Sequence, residues 1–220
     1  NLILTMPSSM SIERRKMLNF LGAKIVLTPK ELGMNGAIEE AKKISRKTKN
    51  SIILDQFKNQ ANPEIHFKTT AQEIWNDTQG QIDFFIAGVG TGGTISGVGK
   101  YLKGKKKGIK VIAVEPEDSA VISGGEPGSH SIQGIGAGFI PKNLNLKVID
   151  EVVPISNTSA FQFSKALGKY EVIAGGISSG AVLAAAAEIH EDKKMHERNS
   201  VIIIPSFAER YLSTQLFSEF

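Results

Sequence analysis

The chain has 220 residues, of which 41% are aliphatic or aromatic and 22% are charged, and its formal net charge is +4. This length supports a buried core in one domain or two, and no apolar run approaches the roughly 20 residues that span a bilayer. The chain has no cysteine, which excludes disulfides, thiolate catalysis and cysteine-ligated metals. These properties predict a globular cytoplasmic protein with no membrane partner.

Short apolar runs alternate with helix-like segments along the chain, beginning with a predicted strand at 2–4 and a predicted helix at 11–20. The other predicted strands span 24–27, 52–54, 82–87, 111–114 and 201–204. The other predicted helices span 35–47, 63–77, 94–102, 159–167, 179–190 and 209–217. Because alternating strands and helices form right-handed βαβ units, the sequence predicts an α/β fold of parallel sheets with helices on both faces.

A polar stretch at 59–63 marks the predicted domain boundary. It contains Pro63, which suits the first turn of a helix. The interpretation is of two three-layer αβα domains: a smaller one over 1–58, incomplete in this sequence, and a larger one over 59–220.

The basic residues and the histidines indicate neither nucleic-acid binding nor a metal site. The lysine-rich run at 103–107 has no interleaved aromatic side chains, which a base-stacking surface needs, and a solvated turn explains it. The four histidines are not spaced as metal ligands. We therefore expect no nucleic-acid partner and no metal.

The first glycine-rich loop, Gly88-Val89-Gly90-Thr91-Gly92-Gly93-Thr94, lies between a predicted strand and a predicted helix. It satisfies G-x-G-x-x-G, and Glu115 follows at the spacing of a ribose-binding acid, so a dinucleotide site is one interpretation. The excess of glycine and threonine favours another, in which backbone N–H groups and the hydroxyls of Thr91 and Thr94 bind a terminal phosphate. A plain strand-to-helix turn is the third.

The second loop, Gly175-Gly176-Ile177-Ser178-Ser179-Gly180, follows a strand-like run at 172–174 and opens an alanine-rich helix. It satisfies G-x-S-x-G, the nucleophile elbow of hydrolases. The downstream partners for a triad, His190, Asp192 and His196, lie at the far end of that helix, ~15 Å or more from Ser178. A triad cannot close, so we interpret Ser178 as a hydroxyl that contacts a bound ring or a small anion.

Longer motifs carry a family resemblance. They include Thr5-Met6-Pro7-Ser8-Ser9-Met10-Ser11-Ile12-Glu13-Arg14-Arg15 near the start and Pro205-Ser206-Phe207-Ala208-Glu209-Arg210-Tyr211 near the end. Between them lie Asp55-Gln56-Phe57, Asn62-Pro63-Glu64-Ile65-His66, the two glycine-rich loops and Gln133-Gly134-Ile135-Gly136-Ala137-Gly138-Phe139. In this order, the motifs resemble cysteine synthase (O-acetylserine sulfhydrylase), a pyridoxal-phosphate enzyme of the tryptophan-synthase-β type.

The resemblance implies a site for pyridoxal 5′-phosphate. The residues that would bind its phosphate are Gly90, Thr91, Gly92, Gly93 and Thr94, and the Ser178 hydroxyl would bond the pyridine nitrogen. The residues that would bind substrate are Gln56, which matches the family's contact to the substrate carboxylate, Phe57 beside it, and Gly134, Ile135 and Gly136 in a loop at the active-site mouth. The alternative is that these residues do not bind substrate: Gln56 then only ends a strand, and the glycines only form a turn.

By resemblance, the activity is a β-replacement that forms L-cysteine from O-acetylserine and sulfide. The alternatives are a cystathionine β-synthase-like reaction, a non-catalytic fragment that binds the cofactor or a peptide, and a nicotinamide oxidoreductase that uses Glu115. The resemblance also implies a homodimer that docks the C-terminal tail of serine acetyltransferase.

This sequence departs from the family pattern at several positions. The family's Schiff-base lysine lies N-terminal to the first residue here, and the lysine runs at 42–43, 105–107 and 193–194 are interpreted as solvated. We therefore assign no catalytic residue and expect the chain alone to be inactive. Val172 and Ala208 stand where the family usually has glycine, which leaves the local backbone geometry open.

Overall fold

The computed structural model describes residues 1–192 and 195–219, so the lysines at 193–194 lie outside the described residues. The chain divides into two compact units. Unit 1 comprises Asn1–Asp55 and the C-terminal segment from Phe207, and unit 2 comprises Gln56–Ser206. The predicted domains, 1–58 and 59–220, differ from these units in two respects. The predicted boundary lies three residues later, and the predicted larger domain includes the C-terminal segment.

Unit 1 is built on a βαβ module. Strands β1 (Ile3–Pro7) and β2 (Lys24–Thr28) pair in parallel and are joined by helix α1 (Ile12–Phe20). Helix α2 (Gly33–Lys47) follows, and the Thr5 hydroxyl donates a hydrogen bond of 2.7 Å to the carbonyl of Ala37 in that helix. The first predicted strands and helices are therefore confirmed.

Two predictions for unit 1 are wrong. The predicted strand at 52–54 has no ladder partner among the described residues, and Ile52 is 83% exposed. The predicted helix at 209–217 is instead two short 3₁₀ turns, Ala208–Tyr211 and Gln215–Phe217. The Thr214 hydroxyl accepts a hydrogen bond from the Leu216 N–H, and such local side-chain bonds compete with a continuous helix.

Unit 2 contains a four-stranded parallel sheet. In chain order its elements are α3 (Ala61–Lys68), α4 (Thr70–Asp77), β3 (Phe84–Gly88), α5 (Gly93–Lys105), β4 (Lys110–Pro116), β5 (Glu151–Ile155), α6 (Asn157–Glu171), α7 (Ile177–His190) and β6 (Ser200–Ile202). The strand order is β5-β4-β3-β6. Phe85, Val98, Leu102 and Val111 are fully buried in the core between α5 and the two central strands. The predicted α/β fold with parallel strands is confirmed.

Three local assignments in unit 2 differ from prediction. The single predicted helix at 63–77 is two helices that meet at Thr69, whose φ of −120° is not helical. The strand-like run at 172–174 is an irregular connection between α6 and α7. Strand β5 was not predicted, because Pro154 interrupts its apolar pattern; the structure tolerates the proline at the sheet edge.

No helix within the described residues has the length and apolar character needed to cross a membrane.

Candidate functional site

The first glycine-rich loop connects the buried strand β3 to the amino end of α5. Gly92, which precedes the helix, has a left-handed φ of 78°, a conformation that glycine adopts without steric cost. The Ser96 N–H makes the first bond back along the helix, to the Gly92 carbonyl at 3.2 Å. The N–H groups of Gly93, Thr94 and Ile95 therefore precede the helical ladder at its positive end, where an anion is favoured.

A loop from a distant part of the chain packs directly on this turn. The Gly136 N–H donates to the Val89 carbonyl at 3.0 Å, and a Cβ added to Gly90 would overlap the Gly134 carbonyl oxygen. A Cβ on Gly88 would lie 2.7 Å from the Ile135 side chain. The glycines at these positions therefore permit close contact between two loops that the sequence analysis assigned to phosphate and substrate.

Ser178 lies in the first turn of α7, after the N-cap Gly176, and is 2% exposed. It lines a small pocket together with Thr94 of the first loop, and the remaining wall is largely apolar, with Ile135 and Pro205 among its residues. The two glycine-rich loops, which lie almost ninety residues apart in sequence, thus face one pocket within unit 2.

Gln56 and Phe57 lie in the segment that leads into α3. The Gln56 backbone carbonyl accepts hydrogen bonds from the side-chain amides of Asn62, at 2.9 Å, and Asn143, at 2.8 Å. The Phe57 ring is buried and packs edge-on against Phe139, with the ring centroids 5.1 Å apart. The backbone here is fixed from two sides, whereas the residue Gln56 itself is exposed.

His66 supports the second threonine of the loop. Its Nε2 lies 3.1 Å from the Thr94 hydroxyl, and its Nδ1 lies 2.9 Å from the Thr70 hydroxyl. Burial lowers the pKa of His66, which favours the neutral imidazole. A neutral ring has one N–H and one lone pair, so it donates to one threonine and accepts from the other.

The sequence matches a known protein family. The model of the pyridoxal-phosphate-dependent enzyme family matches residues 1–206. The chain belongs to this family.

Relatives of this chain within the family include cysteine synthases and a cystathionine β-synthase. Cysteine synthase A of Escherichia coli strain K12 is 54% identical over 99% of this chain, which covers 70% of that protein. The crystal structure of cysteine synthase from Entamoeba histolytica is 45% identical with a TM-score of 0.91, over 98% of this chain and 64% of that one. An O-acetylserine-dependent cystathionine β-synthase from Helicobacter pylori is 36% identical with a TM-score of 0.90, over 98% of this chain and 70% of that one.

The chain therefore spans about two thirds of the length of these family members. The resemblance to cysteine synthase that the motifs carry is confirmed, and so is pyridoxal phosphate as the family's cofactor.

Glu115 has a structural role that does not fit a dinucleotide site. Its carboxylate is 1% exposed and accepts hydrogen bonds from the N–H groups of Ile122, at 2.8 Å, and Ser123, at 2.9 Å, and from the Ser123 hydroxyl. The carboxylate is thus occupied in shaping the turn after β4. This geometry argues against the nicotinamide interpretation, and family membership replaces it.

Sequence reasoning missed Asn62, Asn143 and the role of His66 in this family site. Asn62 lies in the polar stretch that was interpreted as a domain boundary, and the one available signal was its place in the motif before Pro63. His66 was considered only as a metal ligand, and no local pattern links it to Thr94, 28 residues away.

Proposed function

We propose that this chain provides most of the active site of a pyridoxal-phosphate-dependent enzyme that forms L-cysteine from O-acetylserine and sulfide by β-replacement. The observation that carries the proposal is the 54% identity to cysteine synthase A over 99% of the chain. It is supported by the pocket that Thr94 and Ser178 share.

The residues around the first loop fit a phosphate group. Gly90, Thr91, Gly92, Gly93 and Thr94 would hold it through the N–H groups that precede the helical ladder at the start of α5 and through the two threonine hydroxyls. Among the described residues, no acidic side chain lines the pocket beside Thr94, so none of them repels an anion there. When bound, pyridoxal phosphate supplies the electron sink that makes replacement at the substrate β-carbon accessible.

Ser178 would meet the nitrogen edge of the ring. A serine hydroxyl is neutral at every relevant pH, so it can hydrogen-bond the ring nitrogen but cannot stabilise a positive charge there as a carboxylate does. The ring would then withdraw electrons less strongly. This favours β-elimination and replacement over reactions that need a more strongly stabilised carbanion. This residue choice fits the proposed reaction.

Gln56, Phe57 and the loop at Gly134, Ile135 and Gly136 would form the substrate side of the site. The Gln56 carbonyl is held by two asparagine amides, which fixes the backbone from which the glutamine side chain extends. A fixed backbone orients an amide donor toward a substrate carboxylate at a lower entropic cost.

The proposal assigns no catalytic lysine to these residues. After addition of pyridoxal phosphate, borohydride reduction and digestion, mass spectrometry should find no specifically pyridoxylated lysine at stoichiometric yield. A single lysine modified in full would contradict this assignment.

Activity is tested with a chimera in which the portion of E. coli cysteine synthase A outside the matched region is joined to this chain. The chimera should form cysteine from O-acetylserine and sulfide, and Ser178→Ala should reduce its kcat. Failure of a folded chimera to consume O-acetylserine would overturn the proposal. Faster turnover with homocysteine than with sulfide would instead favour the cystathionine β-synthase alternative, which the H. pylori relative represents.

The proposal extends to assembly and location. We expect a homodimer in the cytoplasm whose substrate cleft accepts the C-terminal tail of serine acetyltransferase. Light scattering on the chimera measures the first, cell fractionation the second, and competition between a tail peptide and O-acetylserine the third. A monomeric active chimera would remove the dimer from the proposal.

A further inference from the structure

We infer that Asn62 is a positioning residue that orients the Thr91 hydroxyl toward the cofactor phosphate and ties it to the substrate segment; the inference rests on the proposed function. Asn62 is the second residue of α3. Its Nδ2 lies 2.9 Å from the Gln56 carbonyl oxygen and 2.9 Å from the Thr91 hydroxyl oxygen. One side-chain nitrogen thus joins the two halves of the site.

The chemistry of the partners fixes the orientation of this amide. A carbonyl oxygen only accepts hydrogen bonds, so the atom of Asn62 that faces Gln56 must be the NH₂ group and not the amide oxygen. That group has two protons. One is directed to the Gln56 carbonyl and the other to the Thr91 oxygen, so Asn62 is a donor to Thr91.

This bond decides what the Thr91 hydroxyl does. A hydroxyl oxygen has two lone pairs and one proton. The Asn62 amide donates to one lone pair. The Gly93 N–H is directed at the second lone pair, with its nitrogen 3.4 Å from the Thr91 oxygen. The proton of Thr91 is left to point away from these donors. A hydroxyl in this state donates, which is the role that an anionic phosphate oxygen requires.

The neighbouring glycine is explained by the same contact. A Cβ on Gly93 would overlap Oδ1 and Cγ of Asn62 and would lie 2.9 Å from its Nδ2. Glycine at this position therefore makes room for the asparagine side chain. The last glycine of the motif and Asn62 form one unit, although 31 positions separate them.

Asn143 supports the arrangement from the other side. It is 3% exposed, donates through Nδ2 to the Gln56 carbonyl, and accepts at Oδ1 from Gln60 Nε2 at 3.0 Å. Its backbone N–H also bonds the Phe57 carbonyl at 3.1 Å. Asn143 therefore holds the substrate segment in place, and Asn62 links that fixed segment to Thr91.

The test measures how strongly the chain prefers pyridoxal phosphate to pyridoxal, which lacks the phosphate. By calorimetry, Asn62→Asp should weaken pyridoxal phosphate binding roughly 10- to 100-fold and pyridoxal binding less than about 2-fold. The reason is that a carboxylate accepts the Thr91 proton and also repels the phosphate. Asn76→Asp, at an exposed position in α4, makes the same charge change and should leave both affinities unchanged.

A double-mutant cycle separates orientation of Thr91 from general support of the fold. Thr91→Val removes the hydroxyl at nearly constant shape, and Asn62→Ala should then cost no further phosphate preference in that background. Additive losses would overturn the inference, as would an Asn62→Asp variant that keeps the full preference. Should the unmodified chain itself show no preference for the phosphorylated form, the proposed function would fail, and this inference with it.

Discussion

The two glycine-rich loops both lead into a buried helix, but a Cβ added to each would meet a different neighbour. In the first loop, at Gly93, it would overlap the polar side chain of Asn62. In the second, at Gly180, it would overlap the Ala160 carbonyl of α6 and lie 2.5 Å from the Ser164 N–H. The first glycine serves the polar contacts of the site, whereas the second permits two helix backbones to approach. The same residue type in similar motifs thus permits contact with a polar side chain in one place and helix packing in the other.

The largest effect is expected from Gly180→Ala. Its new methyl group meets backbone, which cannot rotate away, so α6 and α7 must separate, and we expect a loss of about 2–3 kcal/mol in the free energy of unfolding. Gly168→Ala is the matched control, because it is exposed in α6 with nothing near its Cβ, and it should stabilise by about 0.5–1 kcal/mol. Urea titrations followed by circular dichroism measure both. Equal effects would show that the helix contact is not what requires glycine.

Gly93→Ala tests the first loop of the comparison, where the glycine contacts the Asn62 side chain. The methyl group meets a side chain that can move, so the loss of unfolding free energy should be smaller than for Gly180→Ala. Displacing Asn62 should nevertheless reduce the preference for pyridoxal phosphate over pyridoxal roughly 10-fold. Gly104→Ala, in the same helix with open space around it, is the control and should leave that preference intact. A Gly93→Ala chain that keeps the full preference for pyridoxal phosphate over pyridoxal would contradict this explanation of the loop.

Val172→Gly should sharpen the contrast just ahead of the second loop. Val172 directly follows α6, has a φ of 58° and is 88% exposed, so a β-branched residue occupies the left-handed region without compensating burial. Replacement by glycine should raise the free energy of unfolding by about 1 kcal/mol. Thr48→Gly, at the end of α2 with a φ of −111°, should lower it instead. A destabilised Val172→Gly variant would mean that this strain is absent in solution.

The smallest effect concerns His66 beside the first loop. Because burial lowers its pKa, the folded state binds fewer protons than the unfolded state below the unfolded pKa of about 6.5. Stability is therefore full above that pH and decreases as the pH falls toward the folded pKa. Between pH 8 and pH 5.5, the free energy of unfolding should therefore decrease slightly less in His66→Gln than in the unmodified chain. Urea titrations at each pH test this, and a steeper slope in the variant would contradict it.

Local patterns in the sequence explain which parts of the fold were predictable. The buried strands around Phe85 and Val111 and the helix between them were predictable because apolar spacing indicates burial within a few residues. Pairing is not local, so the run at 52–54 was assigned to a strand although the described residues offer it no partner. Competing side-chain bonds at Thr214 similarly ended the predicted C-terminal helix.

The same limit applies to the site. The glycines and Ser178 of the candidate site could be proposed because each loop is continuous in sequence. The hydrogen bonds that organise it connect Asn62 to Thr91 across 29 positions and Asn143 to Gln56 across 87. Nothing in the local sequence marks such partners, because an asparagine that donates across the fold has the same neighbours in sequence as one in a turn.

Pro154 has a consequence for the behaviour of the protein at high concentration. It lies in β5, at the outer edge of the four-stranded sheet, and has no N–H to offer. An incoming strand, for example from another copy of the chain, would find no backbone donor at this residue. Pro154 therefore interrupts the apolar pattern that would have predicted β5, and it also disfavours the addition of another strand at this edge of the sheet.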